Sequence, residues 1–356
     1  ISKQIDTVCR LMKLDKSWQS RKLSGGQKQR LITASTLAMG QKIVILDEPL
    51  ANLDTAGAEM LMSTLKSLAK AGYCIIVIEH RLDVVLPFVD KVFHVGNRNV
   101  NEITDRENYL KEQSTEIEDT CSTFSGTLPA FSLADVAFAV KERDILNGVT
   151  FDILKGSRTV LLGENGCGKT TLLRLISRLE KPTRGVILQN IDDKFGQKSK
   201  QSKKWYKKVG VVYQNPDYQL FMQTVEKEIK FGAKSDEYAD EIAEKFGIKH
   251  LYARHPQSLS EGQKRRVSIA AVVATDPEVL ILDEPTVGQD YKGLCEMVEV
   301  LNKLHEEAHN TMITVTHDKR CAAALCDKSV WIKNGKTYKT GGKELVDEFF
   351  IQIGVN

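Results

Sequence analysis

The sequence has no uncharged stretch as long as the roughly 18 residues a membrane helix needs. Its longest, residues 120–134, is mostly polar. A membrane role would therefore depend on helices supplied by a partner. The sequence also lacks paired cysteine motifs. Cys9, Cys74, Cys121, Cys167, Cys295, Cys321 and Cys326 are odd in number and form no CxxC or CxxH pattern, which argues against a disulfide scaffold or zinc module and for a reducing compartment. There is no strong charge of either sign. Lys plus Arg number 50 against 47 Asp plus Glu, a net +3, too small to point to nucleic acid. The chain begins at Ile1 with neither a methionine nor a leader pattern, so it is expected to be processed or cut from a longer protein. What remains is an ordinary globular composition, 42% hydrophobic and 27% charged. At 356 residues it exceeds one usual domain, and two are expected.

A repeat organises it. LSGGQKQR begins at Leu23 and LSEGQKRR at Leu259, each followed by a small-residue helical stretch and an apolar strand, IVILDEP in one copy and VLILDEP in the other. Asp47 lies 23 residues after Ser24, and Asp283 lies 23 after Ser260, so the copies are offset by 236. His80 and His317 end the next apolar runs, CIIVIEH and TMITVTH. A repeated domain explains this spacing. Only the second copy has a glycine-rich front half, so the expected organisation is the rear part of a first domain at residues 1–112, a polar linker at 113–128 and a complete second domain at 129–356.

The fold class expected is α/β. Short β-branched runs at 159–162, 209–212, 279–282 and 312–315 read as buried parallel strands. Segments 133–140 and 149–154 read as an antiparallel flank, 331–338 as a hairpin turning at Asn334-Gly335, and 236–246 as an amphipathic helix.

GENGCGKTT comprises Gly163, Glu164, Asn165, Gly166, Cys167, Gly168, Lys169, Thr170 and Thr171. It fits the phosphate-loop pattern GxxxxGK[ST] between a predicted strand and a predicted helix at 169–178, the context the pattern requires. Glycines let main-chain N–H groups face a β-phosphate, Lys169 reaches the β and γ oxygens, and the Thr170 hydroxyl suits Mg²⁺. At a strand end, Asp283 suits Mg²⁺ and Glu284 suits orienting or deprotonating water. Asp47 and Glu48 repeat that pair.

With these motifs the sequence resembles the ABC ATPase family over nearly its whole length. The resemblance implies a RecA-like phosphate-loop core, an antiparallel β flank and a helical subdomain bearing the signature. It implies that Gln214 is the Q-loop glutamine that helps hold Mg²⁺, that His80 and His317 contact the γ-phosphate, and that Asp54 and Asp290 belong to D-loops. It also implies head-to-tail pairing of two domains, within one chain or between chains. ATP then lies between one phosphate loop and the other signature. The signature residues here are Ser24, Gly25, Gly26 and Gln27 in the first copy, and Ser260, Gly262 and Gln263 in the second.

The stretch YQNPDYQLFMQTVEKEIKFG (213–232), with IEHRLD (78–83), resembles the energy-coupling-factor importers of vitamins or transition-metal ions. This resemblance implies a transmembrane coupling subunit, a separate substrate-binding membrane subunit and a place on the cytoplasmic face of the membrane. The alternative is a soluble ribosome-associated ABC ATPase acting as a switch, for which the linker is short and poor in charged helix.

Four further expectations follow. Val140 stands where the family often has a base-stacking aromatic, so either Phe138 or another ring substitutes or base contact is weak. Gln289, where Leu is common, is expected to change little. Cys167, near a helix N-terminus, is either an activated thiol or an inert small residue. The seven lysines from Lys194 to Lys208, with Trp205 and Tyr206 among them, read as a solvated loop in preference to a nucleic-acid surface.

Overall fold

A computed structural model of the chain describes residues 2–354, apart from 21, 22, 24, 51, 52, 54, 97, 114–116, 118–123, 142 and 192–202. Ser24, Asp54, Lys194, Lys198, Lys200 and most of the expected linker fall outside the described residues. The chain divides into two compact units, Ile1–Thr115 and Glu116–Asn356.

The first unit runs α1 (Ser2–Leu11), α2 (Gly25–Ala38), β1 (Ile43–Asp47), α3 (Thr55–Lys70), β2 (Cys74–Ile78), α4 (Leu82–Val85), β3 (Phe93–Gly96), β4 (Asn99–Glu102) and α5 (Arg106–Gln113). β1 and β2 pair in parallel, Ile45 opposite Ile76, and β3 and β4 form an antiparallel hairpin. One face of β1–β2 places Val44 and Leu46 in a core with Leu37, Leu61 and Leu65. The alternate residues Ile43, Ile45, Ile76 and Ile78 are 46–64% exposed.

The second unit contains β5 (Pro129–Val140), β6 (Arg143–Leu154), β7 (Arg158–Leu162), α6 (Lys169–Ile176), β8 (Arg184–Gln189), α7 (Lys203–Lys208), β9 (Val209–Val212), α8 (Val225–Lys230), α9 (Asp236–Lys245), α10 (Glu261–Val273), β10 (Val279–Asp283), α11 (Tyr291–Ala308), β11 (Thr311–Val315), α12 (Lys319–Ala324), β12 (Lys328–Lys333), β13 (Lys336–Gly341) and α13 (Lys343–Gln352). Six strands form one sheet in the order β13-β12-β7-β11-β10-β9, parallel except for β13. Strands β7, β10 and β11 are buried along their whole length, as parallel strands covered on both faces must be. A second, antiparallel sheet, β6-β5-β8, packs Phe131, Leu133 and Val149 with Leu161, Ile281 and α6. A separate core joins α8, α9, α10 and α11 through Ile229, Ile242, Val267 and Leu294. A buried ion pair fastens β7 to its surroundings. Arg158 meets Asp327 at 2.6 Å and donates from Nη1 to Asn302 Oδ1 at 3.0 Å.

The described part of the lysine-rich segment is a helix and not a solvated loop. Residues 203–208 form helix α7, and Trp205 is a buried core residue. Its Nε1 donates to Gln189 Oε1 at 2.8 Å, and Arg178 lies over its ring. A ring enclosed this way cannot stack on a base. Tyr206 alone of the pair is exposed.

Candidate functional site

The site grows from the connection between β7 and α6. Gly163, Gly166 and Gly168 all take positive φ. A Cβ on Gly163 would sit 2.5 Å from the Ile332 carbonyl, and one on Gly168 2.5 Å from Leu146 Cδ2. Only glycine meets both the backbone and the space requirements there. The loop delivers Lys169 to the first turn of α6, where its Nζ donates back to the carbonyls of Gly163 and Glu164. Around the loop opens a cleft of about 610 Å³ lined by residues 164–171, Gln214, Asp283, Glu284 and His317. Main-chain N–H groups in such a loop, at a helix N-terminus, suit an anion.

β10 supplies the acids. Thr170 Oγ1 donates to Asp283 Oδ2 at 3.3 Å. Burial, then the neighbouring Glu284 charge, raises Asp283 to about 6. Burial raises Glu284 to about 7, opposed by Lys169, the His317 N–H and Arg265. Glu284 has φ +55, a left-handed conformation costly for a residue with a Cβ. Two bonds over-determine it. Its N–H donates to the Val315 carbonyl at 2.8 Å, and the His317 N–H donates to Glu284 Oε2 at 3.2 Å. His317 Nε2 lies 3.4 Å from Glu284 Oε1.

The first unit repeats this geometry around Asp47. Glu48 has φ +44, its N–H donates to the Ile78 carbonyl, and His80 Nε2 lies 3.6 Å from Glu48 Oε1. The electrostatics differ. Glu48 is lowered, chiefly by the bond from His80, because it is far less buried than Glu284. Gly25, Gly26 and Gln27 stand in the first turn of α2. In the second unit Ser260 caps α10. Its side chain accepts from the Gln263 N–H, while the Gln263 side chain accepts from the Ser260 N–H.

Several expectations change. Burial pushes the Cys167 thiol up, opposed by the nearby lysine and N–H groups, a shift in the direction of the inert reading. Gln289 makes a contact the sequence did not suggest, its Nε2 donating to the Gly262 carbonyl at 2.8 Å. Phe138 packs against the core while Val140 is exposed, so Phe138 does not stand free as a substitute ring. The hairpin side of the cleft is formed by Arg143, Asp144 and Ile145, and another wall by residues 331–335. The Asn334-Gly335 turn was legible as a turn but not as a wall. Glu79 was also missed. It accepts from the Leu50 N–H at 2.7 Å and the His80 N–H at 3.0 Å, tying the strand end to the histidine.

The donor set fits magnesium. Asp283 is a buried carboxylate whose charged form a cation would favour, with a threonine hydroxyl beside it. Among the described residues no cluster of three or more His, Cys, Asp or Glu could hold a metal.

A glycine loop between strand and helix, acids at the end of a nearby buried strand and an antiparallel second sheet together define a phosphate-loop ATPase fold. The ABC transporter family model matches residues 2–51 and 146–287. A Bacillus subtilis protein, "Putative HMP/thiamine import ATP-binding protein YkoD", is 32% identical over 347 residues, covering 86% of this chain and 63% of that protein. A Methanosarcina mazei "Putative ABC transporter ATP-binding protein" is 30% identical, covering 92% of this chain and 68% of its own length. The chain thus spans about two thirds of these relatives. Among solved structures, CbiO1 from Clostridium perfringens, part of an ABC transporter complex, aligns with a TM-score of 0.55 and 32% identity over 62% of this chain and 92% of that one. A dimeric ATP-binding cassette holding ADP and phosphate aligns with a TM-score of 0.53 and 26% identity, over 60% of this chain and 98% of that one. The chain belongs to the ABC transporter family, as an ATP-binding protein with the ABC ATPase fold.

Proposed function

We propose that this chain binds and hydrolyses ATP for an importer of the energy-coupling-factor type, carrying a vitamin or transition-metal ion. One observation carries the ATPase reading: the phosphate loop, Asp283, Glu284, Gln214 and His317 line one cleft. Lys169 and the loop N–H groups would grip the β and γ phosphates. Thr170, Asp283 and Gln214 would hold magnesium, which would offset phosphate charge. Glu284, near neutral in pKa and oriented by the His317 N–H, has the position and basicity to orient water or take its proton. In the first unit, Asp47, Glu48 and His80 are proposed for the same roles. The two signatures are proposed to close on nucleotide through head-to-tail pairing of ABC domains, within one chain or between chains.

The importer reading is supported by the exposed aromatics after Gln214. Tyr218, Phe221 and Phe231 are 58–79% exposed, and Phe221 and Phe231 meet edge to face at 5.3 Å. The buried Glu228 accepts from the Phe221 and Met222 N–H groups, which fixes the main chain there, and the exposed rings would serve as a docking surface for a membrane subunit. Among the described residues no helix is long and apolar enough to cross a membrane, so a partner would supply the helices, with this chain on the cytoplasmic face. The thiamine-import relative fits this reading.

Glu284→Gln is expected to keep ATP affinity while turnover falls by about 100-fold or more. Lys169→Ala is expected to lose binding. Fluorescent-nucleotide titration and phosphate release measure both, and normal turnover in either variant overturns the reading. Affinity purification tests the partner. A membrane subunit supports the importer, and ribosomes support the switch protein.

A further inference from the structure

The start of α10 does more than present the signature. Arg265, almost wholly buried, donates from Nη1 to the Tyr213 carbonyl at 2.7 Å and from Nη2 to the Gln214 carbonyl. One residue earlier, the buried Lys264 donates to Asp217 Oδ1 at 3.0 Å. The helix therefore holds the loop after β9 at its entry and at its turn. The loop is braced separately by Gln219, which accepts from the Tyr213 N–H and donates to the Val211 carbonyl. Arg265 is thus not needed merely to close the loop. Its Nε has no partner, and its two hydrogen bonds run to main-chain carbonyls, while the charges of Glu284 and Asp283 offset part of the cost of burying the cation. At the repeat position the first copy has the neutral Gln29.

We propose that Arg265 is a positioning residue linking Gln214, in the cleft wall, to the signature Ser260–Gln263 at the head of its helix, so that nucleotide arriving in the cleft reorients the signature. This rests on the ATP-binding reading above. A guanidinium bridging two successive carbonyls transmits a displacement of either one as a rigid connection, because its donors lie in one fixed plane. Lysine would keep the charge but offers no such fork.

The test is hydrogen exchange on the full chain with and without ATP, comparing wild type, Arg265→Gln and Arg265→Lys. In wild type, ATP is expected to slow exchange at residues 163–171 and to change it by about threefold or more at 260–266. In Arg265→Gln the first effect remains, the second falls to about twofold or less, and ATP affinity stays within about twofold while kcat drops. Arg265→Lys recovers only part of the response. An undiminished response at 260–266 in Arg265→Gln overturns the proposal, as does full rescue by lysine. Should Arg265→Gln not fold, Arg265→Lys carries the test alone, and a full wild-type response at 260–266 in that variant overturns the proposal. No ATP effect at 163–171 in wild type would instead overturn the ATP-binding reading.

Discussion

Glu284 shows how one residue can set stability against chemistry. Its carboxyl is raised from 4.5 to about 7 by burial. A raised carboxyl favours the folded state most when protonated. Its contribution is therefore complete below about pH 4.5 and lost as pH rises through 7. In the nucleotide-free protein at pH 8 the burial of this charge costs about 3 kcal/mol. Glu284→Gln removes that cost, so its melting temperature should exceed wild type by several degrees at pH 8, with the difference shrinking toward pH 5. Thermal unfolding across that range measures it, and an equal shift at both ends would refute the electrostatic cause. The residue's left-handed backbone adds a second strain, repeated at Glu48. Neither could be read from the sequence, because glutamate has no preference for positive φ. The pairing of acid with histidine was legible, since both copies keep the two at nearly constant spacing.

At the level of elements, the apolar runs marked the parallel strands well, because burial on both faces leaves an uninterrupted β-branched signature. Strand β8, RGVILQ, was missed. Its polar ends dilute the run, and its pairing partner Phe131 lies 58 residues before Gln189. The same effect hid the burial of Trp205, whose ring N–H reaches Gln189. Local context pointed outward, and residues outside it reversed that. The short link from Gln289 to the Gly262 carbonyl belongs to this scale. Removing it by Gln289→Ala should cost about 1 kcal/mol in urea unfolding of the chain. An unchanged midpoint would mean that water replaces the amide without loss.

At the level of the molecule, the two units carry the same strand pair in different surroundings. In the second unit Val279, Ile281, Ile313 and Val315 are at most 2% exposed, covered by the three-stranded sheet, β7 and α6. Their repeats Ile43, Ile45, Ile76 and Ile78 meet solvent. Repeat spacing made the correspondence legible, but no local pattern could reveal which copy was covered. An apolar dye such as ANS should bind this chain, and Ile45→Thr with Ile76→Thr should reduce the signal by about half. Undiminished fluorescence would place the apolar surface elsewhere.

Those four isoleucines have a practical consequence for anyone handling the polypeptide. An open apolar strip on β1 and β2, with a net charge of only +3 to keep copies apart, favours self-association as concentration rises. Detergent traces or mild chaotropes should help this chain more than stabilising salts, which strengthen the attraction between bare apolar patches.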